Sequence, residues 1–134
     1  HLHLHHPGGV MAGELILIVE DNDKNRKLVR DVLAFKGYRL AEAVTGEEGV
    51  RLARELRPAL ILMDIQLPGI SGIEALAQIR ADDSTRAIPV LAVTASAMST
   101  DRSKILAAGF DGYQSKPINV KAFLEAVQGF LPGP

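Results

Sequence analysis

The chain has 134 residues, of which 47% are apolar and 23% charged, and its net charge is −1. That is enough for one domain with a real core, and it offers no electrostatic attraction to nucleic acid or an anionic membrane. Cysteine is absent, which excludes disulfides, thiolate catalysis and cysteine-ligated zinc or iron–sulfur sites, and suits a cytoplasmic protein.

No apolar run is long enough to span a bilayer as a helix, and no secretory signal is visible. All four histidines lie in His1-Leu2-His3-Leu4-His5-His6. With Pro7-Gly8-Gly9 as a spacer and Met11 as a native start, residues 1–13 read as an expression leader and disordered start. Residues 14–131 are expected to form one domain, and residues 132–134 a short tail. Outside the leader there is no histidine. A Ser-His-Asp triad, a histidine metal cluster and a histidine base are therefore excluded. Chemistry must rest on carboxylates, lysine, hydroxyls and an external metal.

Leu15-Ile16-Leu17-Ile18-Val19 is an unbroken apolar run, as expected of a strand buried on both faces, and it stops at Glu20-Asp21. Asn22 and Asp23 open a helix in which Leu28, Val29, Val32, Leu33 and Phe35 have helical spacing; Gly37 suits the C′ position. Its other face carries Lys24, Arg26, Lys27, Arg30 and Lys36, a solvated face or a docking surface for an acidic partner. Tyr38 to Ala43 is a weaker strand, interrupted by Arg39 and Glu42, which suits an edge position and brings no catalytic group.

Thr45-Gly46-Glu47-Glu48 has the pattern of a capping box. Val50, Leu52, Ala53 and Leu56 give the helix its buried side, and Pro58 stops it. Leu60-Ile61-Leu62-Met63 then runs to Asp64, and Pro68, Gly69 and Gly72 mark a loop beyond it. Ser71-Gly72-Ile73-Glu74 is a second capping box, opening a helix through Ile73, Leu76, Ala77 and Ile79. Asp82 to Ala87 is a polar loop, and Pro89 precedes a fourth strand ending in Thr94. A helix is expected over 100–108, before Gly109. Gly112-Tyr113-Gln114-Ser115 leads to Lys116-Pro117, and Asn119 caps a last helix with Val120, Phe123, Leu124, Val127 and Leu131 as its stripe.

Strands alternating with helices predict a doubly wound parallel α/β sheet, five strands and five helices with right-handed crossovers. In such a sheet the ligand crevice lies at the carboxyl ends of the strands. Glu20, Asp21, Asp64, Thr94 and Lys116 all arrive there. Singly, each has a plain structural role: a helix-terminal acid, a strand-end hydroxyl, a solvated lysine. Asp64 is the hardest to explain that way, because a carboxylate ending a fully apolar strand needs partners. Together they describe an anion and metal site.

Val19-Glu20-Asp21-Asn22, Met63-Asp64-Ile65-Gln66-Leu67-Pro68-Gly69, Val93-Thr94-Ala95 and Ser115-Lys116-Pro117 occur in order, each at a strand end. In these four motifs the chain resembles the receiver domain of two-component response regulators, over Leu15 to Leu131. The resemblance implies the CheY-like, flavodoxin-like strand order 2-1-3-4-5. It implies Asp64 as phosphoryl acceptor, Asp21 as a direct metal ligand, Glu20 as a ligand through water, and the Gln66 carbonyl completing the shell. Thr94 and Lys116 would hold the phosphoryl oxygens, and Tyr113 would follow the state of Thr94. The Lys116–Pro117 peptide is expected to be cis. The implied partners are a sensor histidine kinase or histidine phosphotransfer protein, and a downstream protein reading the fourth helix, fifth strand and fifth helix. The acid pair is Glu-Asp rather than Asp-Asp, a variation many receivers share.

The residue types suit the chemistry. Clustered carboxylates repel by roughly 3 kcal/mol per pair at about 5 Å and an effective dielectric near 20. A hard cation with oxygen ligands and retained waters, Mg²⁺ or Mn²⁺ in its place, relieves this. A haloacid-dehalogenase-like phosphatase is the alternative, but it needs a second aspartate where Gln66 stands. A flavodoxin-type flavin site would meet repulsion from Glu20-Asp21.

Overall fold

The computed structural model of the chain describes residues 13–95 and 99–131. The predicted leader with Met11, and the tail at 132–134, lie outside the described residues. Gly13, grouped with the leader by its sequence, is buried, and its carbonyl accepts from Arg39 Nε at 2.9 Å.

The elements alternate strictly: β1 (Leu15–Val19), α1 (Asp23–Phe35), β2 (Arg39–Ala43), α2 (Gly46–Leu56), β3 (Leu60–Asp64), α3 (Gly72–Ala81), β4 (Val90–Thr94), α4 (Ser99–Ala107), β5 (Gly112–Ser115) and α5 (Val120–Phe130). The strands form one sheet in the order β2-β1-β3-β4-β5, every pair parallel. The expected fold class is thus the observed one. β2 lies at an edge and begins at Arg39, one residue later than its apolar content suggested; Tyr38 is buried just before it.

Both sheet faces are covered, which explains the unbroken apolar runs. Leu17, Val19, Ile61, Met63 and Ala92 pack with Val50, Ala53, Leu76, Ile79 and Ile105 of α2, α3 and α4. Ile16, Ile18, Leu60, Leu62 and Leu91 pack with Val29, Leu33, Phe123 and Val127 of α1 and α5. Successive strand residues therefore serve opposite layers.

The helices depart from expectation in detail: in α3 and α5 the expected stripe residues Ile73, Ala77 and Val120 are exposed. In α1, Leu28 and Phe35 point to solvent, Phe35 at 87% exposure, and the buried stripe is Val29 and Leu33. At about 100° per residue, Leu28 sits one step off Val29 and Phe35 about 200° past Leu33, outside the apolar arc. At the start of α2, Thr45 Oγ1 accepts from Glu48 N–H at 3.0 Å, but the Glu48 carboxylate accepts from Val44 N–H, not Thr45. Of the two expected capping boxes, the one at α3 is reciprocal, between Ser71 and Glu74.

Register sets the site. Val19 stands beside Met63, Asp64 beside Val93, and Thr94 beside Ser115. The residues that end β1, β3, β4 and β5 thus reach the same edge of the sheet.

Candidate phosphate and metal site

Glu20 N–H donates to the Ala43 carbonyl at 3.0 Å, which carries the β1–β2 pairing one residue past the strand. The chain then turns: Glu20 Oε2 accepts from Asn22 N–H at 3.1 Å, and Asn22 Oδ1 caps α1 by accepting from Asn25 N–H at 3.0 Å. Glu20 is buried by this turn and Asp21 is left exposed.

Asp64 is buried at the end of β3. Its Oδ1 accepts from Gln66 N–H at 3.0 Å, which turns the chain away from the sheet. The start of α3 presses on that turn. A Cβ on Gly72 would lie 2.3 Å from the Asp64 carbonyl oxygen, and Gly72 N–H donates to Ile65 O at 2.9 Å. Only glycine permits this approach.

Lys116 reaches back from the end of β5. Its N–H donates to Thr94 O at 2.8 Å, and the Lys116–Pro117 peptide is cis, as expected. Its ammonium Nζ lies 2.7 Å from Glu20 Oε1 and 3.0 Å from Asp64 Oδ2. Thr94 is buried at the end of β4. Tyr113, in register with Ala92, is half-buried, and Arg102 of α4 stacks over its ring.

The charges are strongly linked. Burial pushes the Glu20 carboxyl up from its ordinary 4.5 to about 6; Asp64 adds to this, and the Lys116 hydrogen bond opposes it. Burial disfavours the Lys116 ammonium, but its bonds to Glu20 and Asp64 outweigh that and raise its pKa. Lys116 is therefore a fixed cation. Glu20, Asp21 and Asp64 each offer an oxygen, all within 4.8 Å of one another. An all-oxygen set, open to water at exposed Asp21, fits Mg²⁺ or Mn²⁺ and not a thiophilic metal.

Glu20, Asp21, Asp64, Thr94 and Lys116 are thus all brought to one edge, with Gln66 in the adjoining turn. Arg26 also reaches the site: its Nη1 donates to the Glu20 carbonyl at 3.0 Å and its Nε to Glu42 Oε1 at 3.1 Å. Neither carries a sequence signature, since Arg26 sits among surface cations and Glu42 merely interrupts an edge strand.

A doubly wound α/β sheet whose carboxyl edge gathers a strand-end aspartate, two further acids, a hydroxyl and a lysine is the architecture of a phosphate-handling signalling domain. Comparison with known proteins gives the family. The profile of the response regulator receiver domain matches residues 16–128, and the chain belongs to that family. It is 48% identical to the polar-differentiation response regulator DivK of Brucella anthropi over 116 residues, 87% of this chain and 94% of that one. Among solved structures it resembles the receiver domain of a sensor histidine kinase from Pseudomonas aeruginosa, which has a magnesium ion coordinated in its active site cleft. That likeness has a TM-score of 0.83 and 37% identity, over 89% of this chain and 98% of that one. It also resembles the chemotaxis response regulator CheY4 of Vibrio cholerae, with a TM-score of 0.84 and 26% identity over 89% and 99% of the two chains. The protein is therefore a two-component signalling receiver, and nothing supports the dehalogenase alternative. Among the described residues no helix is long and apolar enough to cross a membrane.

Proposed function

We propose that Asp64 takes a phosphoryl group from a phosphohistidine of a sensor histidine kinase or histidine phosphotransfer protein in the cytoplasm. The observation that carries this is the buried Asp64 carboxylate, held by Gln66 N–H and the Lys116 ammonium, each at 3.0 Å, with Glu20 and Asp21 beside it. An Asp64 oxygen attacks phosphorus in line. The P–O bond forms, the P–N bond breaks, and the imidazole of the donor leaves.

Glu20, Asp21, Asp64 and the Gln66 carbonyl would hold Mg²⁺, with Mn²⁺ as a substitute. When bound, the cation neutralises charge on the nucleophile and the phosphoryl oxygens. Lys116 supplies a fixed point charge to those oxygens and Thr94 a hydroxyl donor. With a phosphoryl group on Asp64, Thr94 moves to bond it and Tyr113 turns inward. The outer surface of α4, β5 and α5 then differs between two states, and a downstream protein distinguishes them. The phosphoryl group drives this only through its better bond to the moved Thr94. The chemistry is confined to phosphorylation and dephosphorylation of the chain itself.

Acetyl phosphate with Mg²⁺ should add one phosphoryl group, seen by intact mass and mapped to Asp64. The same adduct on Asp64→Asn would overturn the assignment.

A further inference from the structure

We propose that Arg26 is a positioning residue for the metal-binding turn, with Glu42 as its anchor. This rests on the reading that Glu20, Asp21 and Asp64 hold a divalent cation. Arg26 is only 16% exposed, although it lies on the charged side of α1. Its single planar guanidinium ties three parts of the chain. Nη1 donates to the Glu20 carbonyl at 3.0 Å, Nε donates to Glu42 Oε1 in β2 at 3.1 Å, and Nη2 meets Asp23 Oδ1 in the first turn of α1 at 2.6 Å. Glu42 is held in turn by Arg30, whose Nη1 donates to the same Oε1 at 3.1 Å and reaches Oε2 at 3.4 Å.

The Glu20 carbonyl belongs to the peptide that joins Glu20 to Asp21. Holding that carbonyl holds the peptide plane, and the plane sets the direction in which the Asp21 side chain leaves the backbone. Glu20 has burial and a bond from Asn22 N–H to orient it. Asp21 is exposed, so packing does not place its carboxylate. The Arg26 fork does so through the backbone, and the Arg26–Glu42 pair sets where the fork sits. Such outer contacts matter to metal affinity because they fix ligands before the metal arrives.

Charge and positioning predict opposite signs here. Arg26 is a cation beside a cation site, so by Coulomb repulsion alone its removal tightens Mg²⁺ binding. If Arg26 positions the turn, its removal weakens binding.

The test is a Mg²⁺ titration of the full chain at pH 8, followed by the amide resonances of Asp21 and Asn22, for wild type, Arg26→Met and Arg26→Lys. Arg26→Met should bind about tenfold more weakly. Arg26→Lys keeps the charge but cannot fork between a carbonyl and a carboxylate, so it should fall between the two. The Asn22 amide should shift in both variants before any metal is added. Mg²⁺ binding by Arg26→Met as tight as wild type, or tighter, overturns the inference, even if its melting temperature falls. Should Arg26→Met not fold, the same criterion applies to Arg26→Lys. Equal binding by wild type and variants overturns this inference alone; a wild type that binds no Mg²⁺ overturns the cation site with it.

Discussion

The guanidinium of Arg102 lies over the ring of Tyr113, 4.8 Å from its centroid. Arg102 is on α4 and Tyr113 on β5, so the contact joins two elements of the proposed output surface. A cation over an aromatic face at an exposed site contributes about 0.5–1 kcal/mol. It favours the half-buried placement of the ring, and it is lost if the ring turns further in. Arg102→Ala should therefore shift the Tyr113 equilibrium inward by about two- to fivefold, the factor that energy corresponds to. The ring resonances of Tyr113, with Tyr38 as a buried reference, should move part of the way to their positions with beryllofluoride and Mg²⁺. Resonances unchanged from wild type would remove Arg102 from the switch.

Gly72→Ala should damage both stability and phosphorylation. The new Cβ would meet the Asp64 carbonyl oxygen at 2.3 Å and the Ile65 Cα at 2.8 Å, and neither is the far end of a flexible side chain. Overpacking of this kind costs about 1–3 kcal/mol, and the strain falls on the turn that presents Asp64. Gly129→Ala in α5 is the control, because a Cβ there meets nothing within 4 Å. It should be neutral or stabilise by up to about 0.5–1 kcal/mol. Urea unfolding of the two variants distinguishes them; equal stability would refute the close approach.

Glu20 should titrate well above an ordinary glutamate in the metal-free protein. Its carboxyl is raised from 4.5 to about 6, mainly by burial. A raised carboxyl pKa means that the protonated form suits the fold better. The associated stability is complete below about pH 4.5 and is lost as the pH rises through about 6. Glu20→Gln should abolish this loss, flattening the melting temperature of the metal-free protein across that window. Asp31 and Asp82 are shifted the other way, by Lys27 and by Ser84 respectively, so their contributions fade only at lower pH. A carbon-detected titration of the Glu20 carboxyl reads the midpoint directly. Added Mg²⁺ should lower it, and a metal-free midpoint at or below 4.5 would falsify the burial argument.

Much of this was legible in the chain because the decisive signals are local. Apolar runs ending in Glu20, Asp64 and Thr94 mark three of the strands and the edge at which they meet, and Lys116-Pro117 closes the more polar fifth strand there. Asn22, Ser71 and Asn119 mark helix starts by bonding three residues ahead, and they do so here. What could not be read depends on separations the sequence does not encode. Arg26 and Glu42 are 16 residues apart and become neighbours only once β2 pairs with β1. Phe35 is spaced three from Val32 and seven from Leu28 yet lies off the buried Val29–Leu33 stripe, since spacing alone does not say which of two neighbouring stripes faces the sheet. Thr45 and Glu48 match a capping box, but the carboxylate takes the preceding amide instead, a choice of rotamer invisible in the pattern.

Lys116 should matter in opposite directions for the metal and for the phosphoryl group. Its ammonium bridges Glu20 and Asp64 at 2.7 and 3.0 Å, so it acts as the counter-ion of the acidic cluster. Lys116→Met leaves buried carboxylates without that partner, which destabilises the metal-free fold at neutral pH. The same loss favours a divalent cation, which no longer competes with Lys116 for Glu20 and Asp64. At pH 8, above the raised Glu20 pKa of the wild type, Mg²⁺ should bind Lys116→Met more tightly, by several-fold on the order expected for one nearby charge. Acquisition of a phosphoryl group should nevertheless fall by an order of magnitude or more, roughly what a removed charged donor costs a transition state. Calorimetric Mg²⁺ titration and intact mass after acetyl phosphate treatment measure the two effects on one sample. Weaker Mg²⁺ binding by the variant would show that Lys116 assembles the cation site; undiminished phosphorylation would show that the ammonium does not hold the phosphoryl group.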